Sequence, residues 1–210
     1  MTTQAKPLKL IKLKEKRDAL YGNILQQAKW INYIMEEEHD RRLYGMILTE
    51  IYHCTRHDLK HQELGTNPGN AISNNCANFL CEIAKEETRN AMMAFYNLFD
   101  SDLMDKKSTL PEPLNTTKIL IDYLDKVSTT GNSLGRLGYS FWRDEDNVSK
   151  IEAMLCKYCT TEEDWNAVEK VMEVSMRLKS NILNEVVEEY IKLKEVGNVK
   201  YDYLEKLAFD

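Results

Sequence analysis

Apolar residues recur at three- and four-residue spacing along almost the whole chain. This spacing is typical of amphipathic helices, which bury one face against a core. No segment shows the strict apolar–polar alternation of a half-buried strand. Only 8 Gly and 4 Pro interrupt the 210 residues, so the helices are expected to be long. The pattern predicts an all-α bundle.

Turn-forming clusters divide this pattern into about seven helices. The strongest breaks are GTNPGN, the proline-containing SDLMDKKSTLPEP and STTGNS, while Gly22 and Asn23 are expected to end the first helix. No linker or repeat divides the chain, which predicts one domain over residues 1–210 with loose ends at 1–7 and 199–210. The predicted helices cover about residues 8–21, 24–38, 40–64, 71–99, 114–127, 134–158 with an interruption at RDEDN, and a last helix that follows the cap TTEED and ends near 196.

Charge and composition exclude several classes of protein. The net charge of −6 argues against a general nucleic-acid-binding protein. The first 20 residues are basic by contrast, and this favours a solvated first helix over contact with a membrane or an acidic partner. There is no apolar signal-peptide core at the start and no stretch long enough to span a bilayer, so a cytoplasmic location with five reduced cysteines is predicted.

Three of the four histidines, His53, His57 and His61, follow at four-residue spacing and therefore share one helix face. Such a pair chelates a metal when other elements add ligands, and Glu50 stands one turn before His53. The lack of further histidine ligands except His39 and the heavily charged flanking residues favour instead a buried, hydrogen-bonded His53 or His57 with a packing role. The pairs Cys156/Cys159 and Cys76/Cys81 are interpreted in the same way, as small core residues and not as a zinc or redox site.

Carboxylates on three predicted helices offer a second kind of site. Glu86, Glu87 and Asn90 lie on an otherwise apolar helix, and Asp144 follows an aromatic-rich turn. The last helix carries Glu169 and Glu173 on one face. Inward-facing carboxylates from several helices build di-iron and di-manganese sites in bundles, whereas outward-facing ones are merely solvated.

Four stretches occur in an order that resembles a known superfamily: LTEIYHCTRH, AKEETRNAMMAFYNLF, LPEPLNTTKILIDYL and GNSLGRLGYSFWRDED. The likeness around them extends over about residues 25–190 in a consistent order. The chain resembles the heme-oxygenase-like, TenA-like helical proteins, and within them the iron-containing redox enzymes that include the chlamydial death-domain-associating protein. The resemblance implies a single-domain heme-oxygenase-like bundle of about seven helices.

The resemblance also implies a metal-ligand set, which is divergent in this chain. Glu87, Asp144 and Glu173 match metal-binding positions, and Asn90 stands at a family histidine. The last-helix motif reads Glu169, Glu173 and Met176, so all three family histidines are replaced. Iron or manganese is the expected metal if the site is functional, and no heme is expected because no proximal histidine begins the first helix. The candidates for lining the pocket are Glu50, His53, His57, Glu86 and Tyr139.

Two functions follow from the resemblance and its departures. The first is an oxygen-dependent non-heme oxidase that acts on a small organic substrate in the bundle core, with a metal site that is divergent or lost. The alternative is a noncatalytic bundle, a regulator or effector, that binds a small molecule or a protein partner. Whether the chain is an enzyme is left open by the sequence, as is its pairing into a homodimer.

Overall fold

The computed structural model describes residues 5–36, 41–65, 78–79, 82, 85–86, 89, 92–93, 96, 110–129, 134–143 and 147–196. Within these residues the regular secondary structure consists of helices joined by turns and short irregular segments, with no strand, which confirms the all-α prediction. The described residues between 78 and 96 are helical too. Seven helices can be delimited: α1 (Ala5–Gln27), α2 (Lys29–Glu36), α3 (Arg41–Gly65), α4 (Asn115–Thr129), α5 (Gly135–Arg143), α6 (Val148–Tyr158) and α7 (Glu162–Val196).

The first helix does not end at Gly22, where the sequence predicted a break. It continues to Gln27, and the chain breaks at the buried Ala28. Two contacts with α7 fix the new direction: the backbone N–H of Trp30 donates to Asn184 Oδ1 at 3.4 Å, and its indole N–H donates to Ser180 Oγ at 3.3 Å. Since glycine weakens a helix without necessarily ending it, these tertiary contacts decided where the break falls.

The ends of the later helices show two kinds of capping. The predicted cap of α7 is confirmed, because Asp164 accepts the backbone N–H of Thr161 at 2.8 Å while Thr161 Oγ1 accepts that of Asp164 at 3.1 Å. At α4, distant carboxylates bind the first backbone N–H groups in place of a local cap. Glu185 accepts from Asn115 and Thr116 at 3.2 and 2.9 Å, and this interaction is invisible in the sequence around α4.

Two apolar clusters form the core, and α7 contributes to both. The first joins α1, α5, α6 and α7, and the second joins α3, α4, α5 and α7. The 35-residue length of α7 allows it to serve as the central element of the bundle. The fully buried side chains include Met172 in the first cluster and Tyr190 in the second. None of the helices in the described part of the chain combines the length and apolar character that a bilayer-spanning segment needs.

Glycine permits α5 to lie unusually close to α7. A Cβ atom at Gly138 would overlap the carbonyl oxygen of Val168 and lie 3.1 Å from the backbone nitrogen of Met172. At Gly135 a Cβ would meet a Val171 methyl group at 2.8 Å. The contact at Gly138 is therefore backbone against backbone, which brings the end of α5 and its aromatic residues directly onto α7.

The basic side chains of α1 face acidic side chains on α6 and α7. Lys9 pairs with Glu162, and Lys14 Nζ lies 2.6 Å from Glu152 Oε1. Lys16 contacts both Glu169 and Glu173 of α7. These basic side chains of the first helix thus form intramolecular ion pairs. This pairing explains why a basic helix occurs in a chain that is acidic as a whole.

Candidate functional site

A cleft of about 440 Å³ opens between α1 and the side of the bundle formed by α5, α6 and α7. Its volume lies within the range of about 300–1,000 Å³ that is typical of small-molecule sites. Aromatic and apolar side chains alternate in its lining with charged ones. The lining residues are Lys14, Arg17, Asp18, Tyr21, Phe141, Trp142, Val148, Glu152 and Met176.

The aromatic part of the cleft is held rigidly. Phe141 is 1% exposed and belongs to the first core cluster. The indole N–H of Trp142 donates to Ser175 Oγ at 2.8 Å, and that hydroxyl donates in turn to the Val171 carbonyl oxygen at 2.6 Å. Because Ser175 is itself buried, this chain of hydrogen bonds fixes the plane of the indole against α7.

The charged part of the cleft contains two cations and two carboxylates. The guanidinium carbon of Arg17 lies 5.0 Å from the centre of the Phe141 ring, which is within the range of a cation–π contact. Arg17 also pairs with Asp18 at 2.8 Å, and the Asp18 side chain is 66% exposed. The second pair joins Lys14 and Glu152. Arg17 is thus placed over the aromatic surface while its carboxylate partner lies toward solvent.

The predicted metal-binding set is only partly visible. Glu87, Asn90 and Asp144 lie outside the described residues, so the metal site they would form stays a prediction. Glu173 is described, and its carboxylate lies 2.5 Å from Lys16 Nζ, with a side chain that is 31% exposed. Met176 is buried and lines the cleft. Within the described ranges, no three or more His, Cys, Asp or Glu side chains are grouped as metal ligands would be.

Lys16 is the common partner of Glu169 and Glu173. Its hydrogen bonds to Glu169 and then to Glu173 raise the pKa of its ammonium group above the ordinary value, against a smaller lowering by partial burial. Each partner is more than a quarter exposed, so solvent screens these ion pairs. The last-helix carboxylates therefore hold a protein cation on the α1 side of the bundle.

Two of the predicted pocket residues instead anchor the segment before α4. Glu50 is 2% exposed, and its Oε2 atom accepts the backbone N–H of Leu114 at 3.1 Å. His53 is buried, and its Nε2 donates to the Pro111 carbonyl oxygen at 2.8 Å. The packing role that the sequence favoured for His53 is thereby confirmed. His57 is half-buried on the next turn, whereas the side chain of His61 lies outside the described residues.

The remaining pocket candidates are also placed away from the cleft lining. Tyr139 is buried, with the Arg136 guanidinium 5.3 Å from its ring centre and the Trp142 ring edge-on at 6.2 Å. Glu86 is exposed and lies 3.8 Å from Arg89, one helical turn away. Of the described cysteines, Cys54 and Cys159 are buried core residues and Cys156 is half-buried, and all three are in the reduced state.

Burial lowers the pKa of His53 below its ordinary value of 6.5, an effect that outweighs the opposite influence of the Pro111 hydrogen bond and of Glu112. The unfolded chain therefore binds a proton at this side chain more readily than the folded protein does. The contribution of neutral His53 to stability is complete above pH 6.5 and is lost as the pH falls below it. We expect urea denaturation to show a steeper loss of stability from pH 7 to pH 5 in the wild-type protein than in His53→Gln. Parallel pH profiles would contradict this.

Sequence reasoning missed the residues that form the charged and aromatic cleft. The basic pattern of the first 20 residues predicts a solvated helix for Lys14 and Arg17. Phe141 and Trp142 enter the sequence analysis only as part of a motif of the resemblance. The adjacent aromatic pair in SFWR was a usable signal, because neighbouring helix positions point about 100° apart, so two large rings side by side widen the apolar face of the helix. The second ring, Trp142, is the less buried of the two and lines the cleft.

A solved structure relates this arrangement to known proteins. The crystal structure of a domain of unknown function with a heme oxygenase-like fold, from Shewanella denitrificans OS217, is similar to the chain with a TM-score of 0.80. The two sequences are 28% identical, and the match covers 91% of this chain and 97% of that one. The chain has the heme oxygenase-like fold. No protein-family model matches the sequence, and no curated protein gives a significant match.

The heme oxygenase-like fold confirms the architecture that the sequence resemblance implied. The similarity to the Shewanella domain is not confined to the four quoted motifs, since nearly the whole length of both chains is covered. The same fold carries many unrelated sites, so the chemistry of this chain has to be argued from its own side chains.

Proposed function

We propose that this heme oxygenase-like protein binds a small organic acid with an aromatic or apolar body in the cleft between α1 and α5–α7. One observation carries the proposal: the Arg17 guanidinium is positioned over the ring of Phe141 inside a cleft of ligand size. An apolar body would pack on Tyr21, Trp142 and Val148, the apolar lining side chains that retain exposed surface, while the acid group would meet the Arg17 cation.

Among the charged groups of the cleft, Arg17 is the one best placed to bind a ligand. Its positive charge favours a ligand carboxylate over a ligand cation. Its present partner, Asp18, is a largely exposed neighbour in sequence, and an ion pair of that kind contributes about 0–1 kcal/mol. A ligand carboxylate can replace Asp18 with two parallel N–H···O bonds in a drier setting, where they are stronger. The competing carboxylate, Glu152, is already engaged by Lys14.

The other functions suggested by the resemblance are kept as predictions. An oxidase reaction with iron or manganese at Glu87, Asp144 and Glu173 requires residues that lie largely outside the described ranges. A cytoplasmic location, a protein partner and a homodimer are likewise predictions. Noncatalytic binding of a small molecule is the function best supported by the contacts of the described residues.

The proposal is tested by calorimetric titration with phenylacetate, indole-3-acetate and octanoate, each compared with its neutral amide. We expect at least one acid to bind. Its amide should bind at least about tenfold more weakly, because a charge-assisted hydrogen bond is lost. Arg17→Gln should remove the preference for the acid. Lys12→Gln is the matched control, since Lys12 is an exposed cation of α1 outside the cleft lining.

Two results would contradict the proposal. One is the absence of binding by all six probes at millimolar concentration. The other is an acid preference that survives in Arg17→Gln, or that disappears equally in Lys12→Gln, because either would place the recognition of the acid elsewhere.

A further inference from the structure

The contact between α1 and α7 has a geometry that bears on the expected metal site. Glu169 and Glu173 lie one turn apart on α7, so their carboxylates project from the same face. Lys16 Nζ hydrogen-bonds Glu169 Oε1 and lies 2.5 Å from Glu173 Oε1. One ammonium group therefore bridges two carboxylates of the helix to which the resemblance assigned metal ligands.

The donor atoms of this helix fit a metal ion poorly. Glu169 and Glu173 offer hard oxygen atoms, but the positive charge of Lys16 already offsets half of their combined negative charge at contact distance. The third member of the predicted motif, Met176, offers a thioether, which suits soft cations and not the hard ones that carboxylates favour. An incoming divalent ion would have to displace the lysine and would be repelled by it.

We propose that the Lys16 ammonium occupies the cation position between Glu169 and Glu173, and that this internal cation closes the last helix to metal ions. The same contact fixes α1 against α7. Since Lys14 and Arg17 flank Lys16 in sequence and line the cleft, the lysine also positions the α1 wall of the cleft.

The test is a Mn²⁺ titration followed by electron paramagnetic resonance, with circular dichroism to verify folding. Five proteins are compared: wild type, Lys16→Arg, Lys16→Met, Glu169→Gln/Glu173→Gln, and the triple variant Lys16→Met/Glu169→Gln/Glu173→Gln. We expect the double glutamine variant and Lys16→Arg to bind as much Mn²⁺ as wild type. Lys16→Met should bind about one additional ion per chain at roughly millimolar free Mn²⁺, and the triple variant should lose it.

Each comparison decides the matter separately. Loss of bound Mn²⁺ in Glu169→Gln/Glu173→Gln relative to wild type would overturn the proposal, because the carboxylates would then be metal ligands in the native protein. Equal binding by Lys16→Met and the triple variant would also overturn it, because the carboxylates would then form no cation position. If Lys16→Met fails to fold, the comparison of wild type with the isosteric glutamine variant still decides. Metal bound by other residues is present in all five proteins and cancels.

Discussion

Replacing Gly138 with alanine is expected to lower the free energy of unfolding by about 3 kcal/mol or more. The added Cβ would overlap the Val168 carbonyl oxygen and lie 3.0 Å from the Val168 carbonyl carbon. Both contacts are with the backbone of α7, which cannot rotate away as a side chain can. Relief requires α5 to move off α7, and that would separate Phe141 from the first core cluster. Urea denaturation followed by circular dichroism measures the loss.

Two other glycines serve as graded controls. Gly22→Ala is expected to raise stability by about 0.5–1 kcal/mol, because the residue is within α1 and nothing lies within 4 Å of its added Cβ. Gly135→Ala should fall between the two, since the Val171 methyl group that it meets belongs to a side chain. A Gly138→Ala protein as stable as Gly22→Ala would show that α5 and α7 are not in backbone contact.

Truncating Phe141 to alanine is expected to cost about 3–5 kcal/mol of folding free energy. The ring is 1% exposed within the first core cluster, so its removal leaves a cavity between α1, α5 and α7. It also removes the ring beneath the Arg17 guanidinium. Urea denaturation gives the stability, and titration with the best-binding acid shows whether the aromatic surface of the cleft is lost with it.

Tyr44→Ala is the control for Phe141→Ala. It removes an aromatic ring of similar size from α3, but that side chain is 52% exposed, so the change is expected to stay within about 0.5 kcal/mol. If the two variants lost stability equally, Phe141 would not be part of the core. If Phe141→Ala remained folded and bound the acid as tightly as wild type, the placement of Arg17 over this ring would not contribute to recognition of the acid.

The fold could be predicted well from local pattern, and the exceptions have clear causes. A turn at Asn147 precedes α6, at the end of the stretch where an interruption is predicted, and the cap of α7 forms as its sequence indicates. The predicted position of the break between α1 and α2 was wrong. Glycine at position 22 lowers helix propensity locally, but the observed break lies near Trp30, where side chains of α7 accept its hydrogen bonds. Helix propensity is local information, and the partners of Trp30 are about 150 residues away.

The candidate site was harder to predict, for the same reason. Spacing placed Glu169 and Glu173 on one face, and that is correct, but only packing showed that the face meets Lys16. The four-residue spacing of His53, His57 and His61 is compatible with a metal site. In the structure, however, His53 donates a hydrogen bond to the backbone of a segment 58 residues later. A side chain's type limits what it can bind, whereas its partner depends on which helix lies opposite.

The sequence by itself determined that this protein is a helical bundle and that α7 begins at a reciprocal cap, because periodicity and capping depend on residues close together in the chain. The heme oxygenase-like architecture was implied by a family resemblance, and the match to a solved structure shows it. Only the tertiary structure decided that Arg17 lies over Phe141, that Glu50 and Glu185 bind the N–H groups at the start of α4, and that Lys16 bridges two α7 carboxylates. These contacts join residues far apart in the chain, and they form because the packing of the helices brings charged side chains of one element against partners on another.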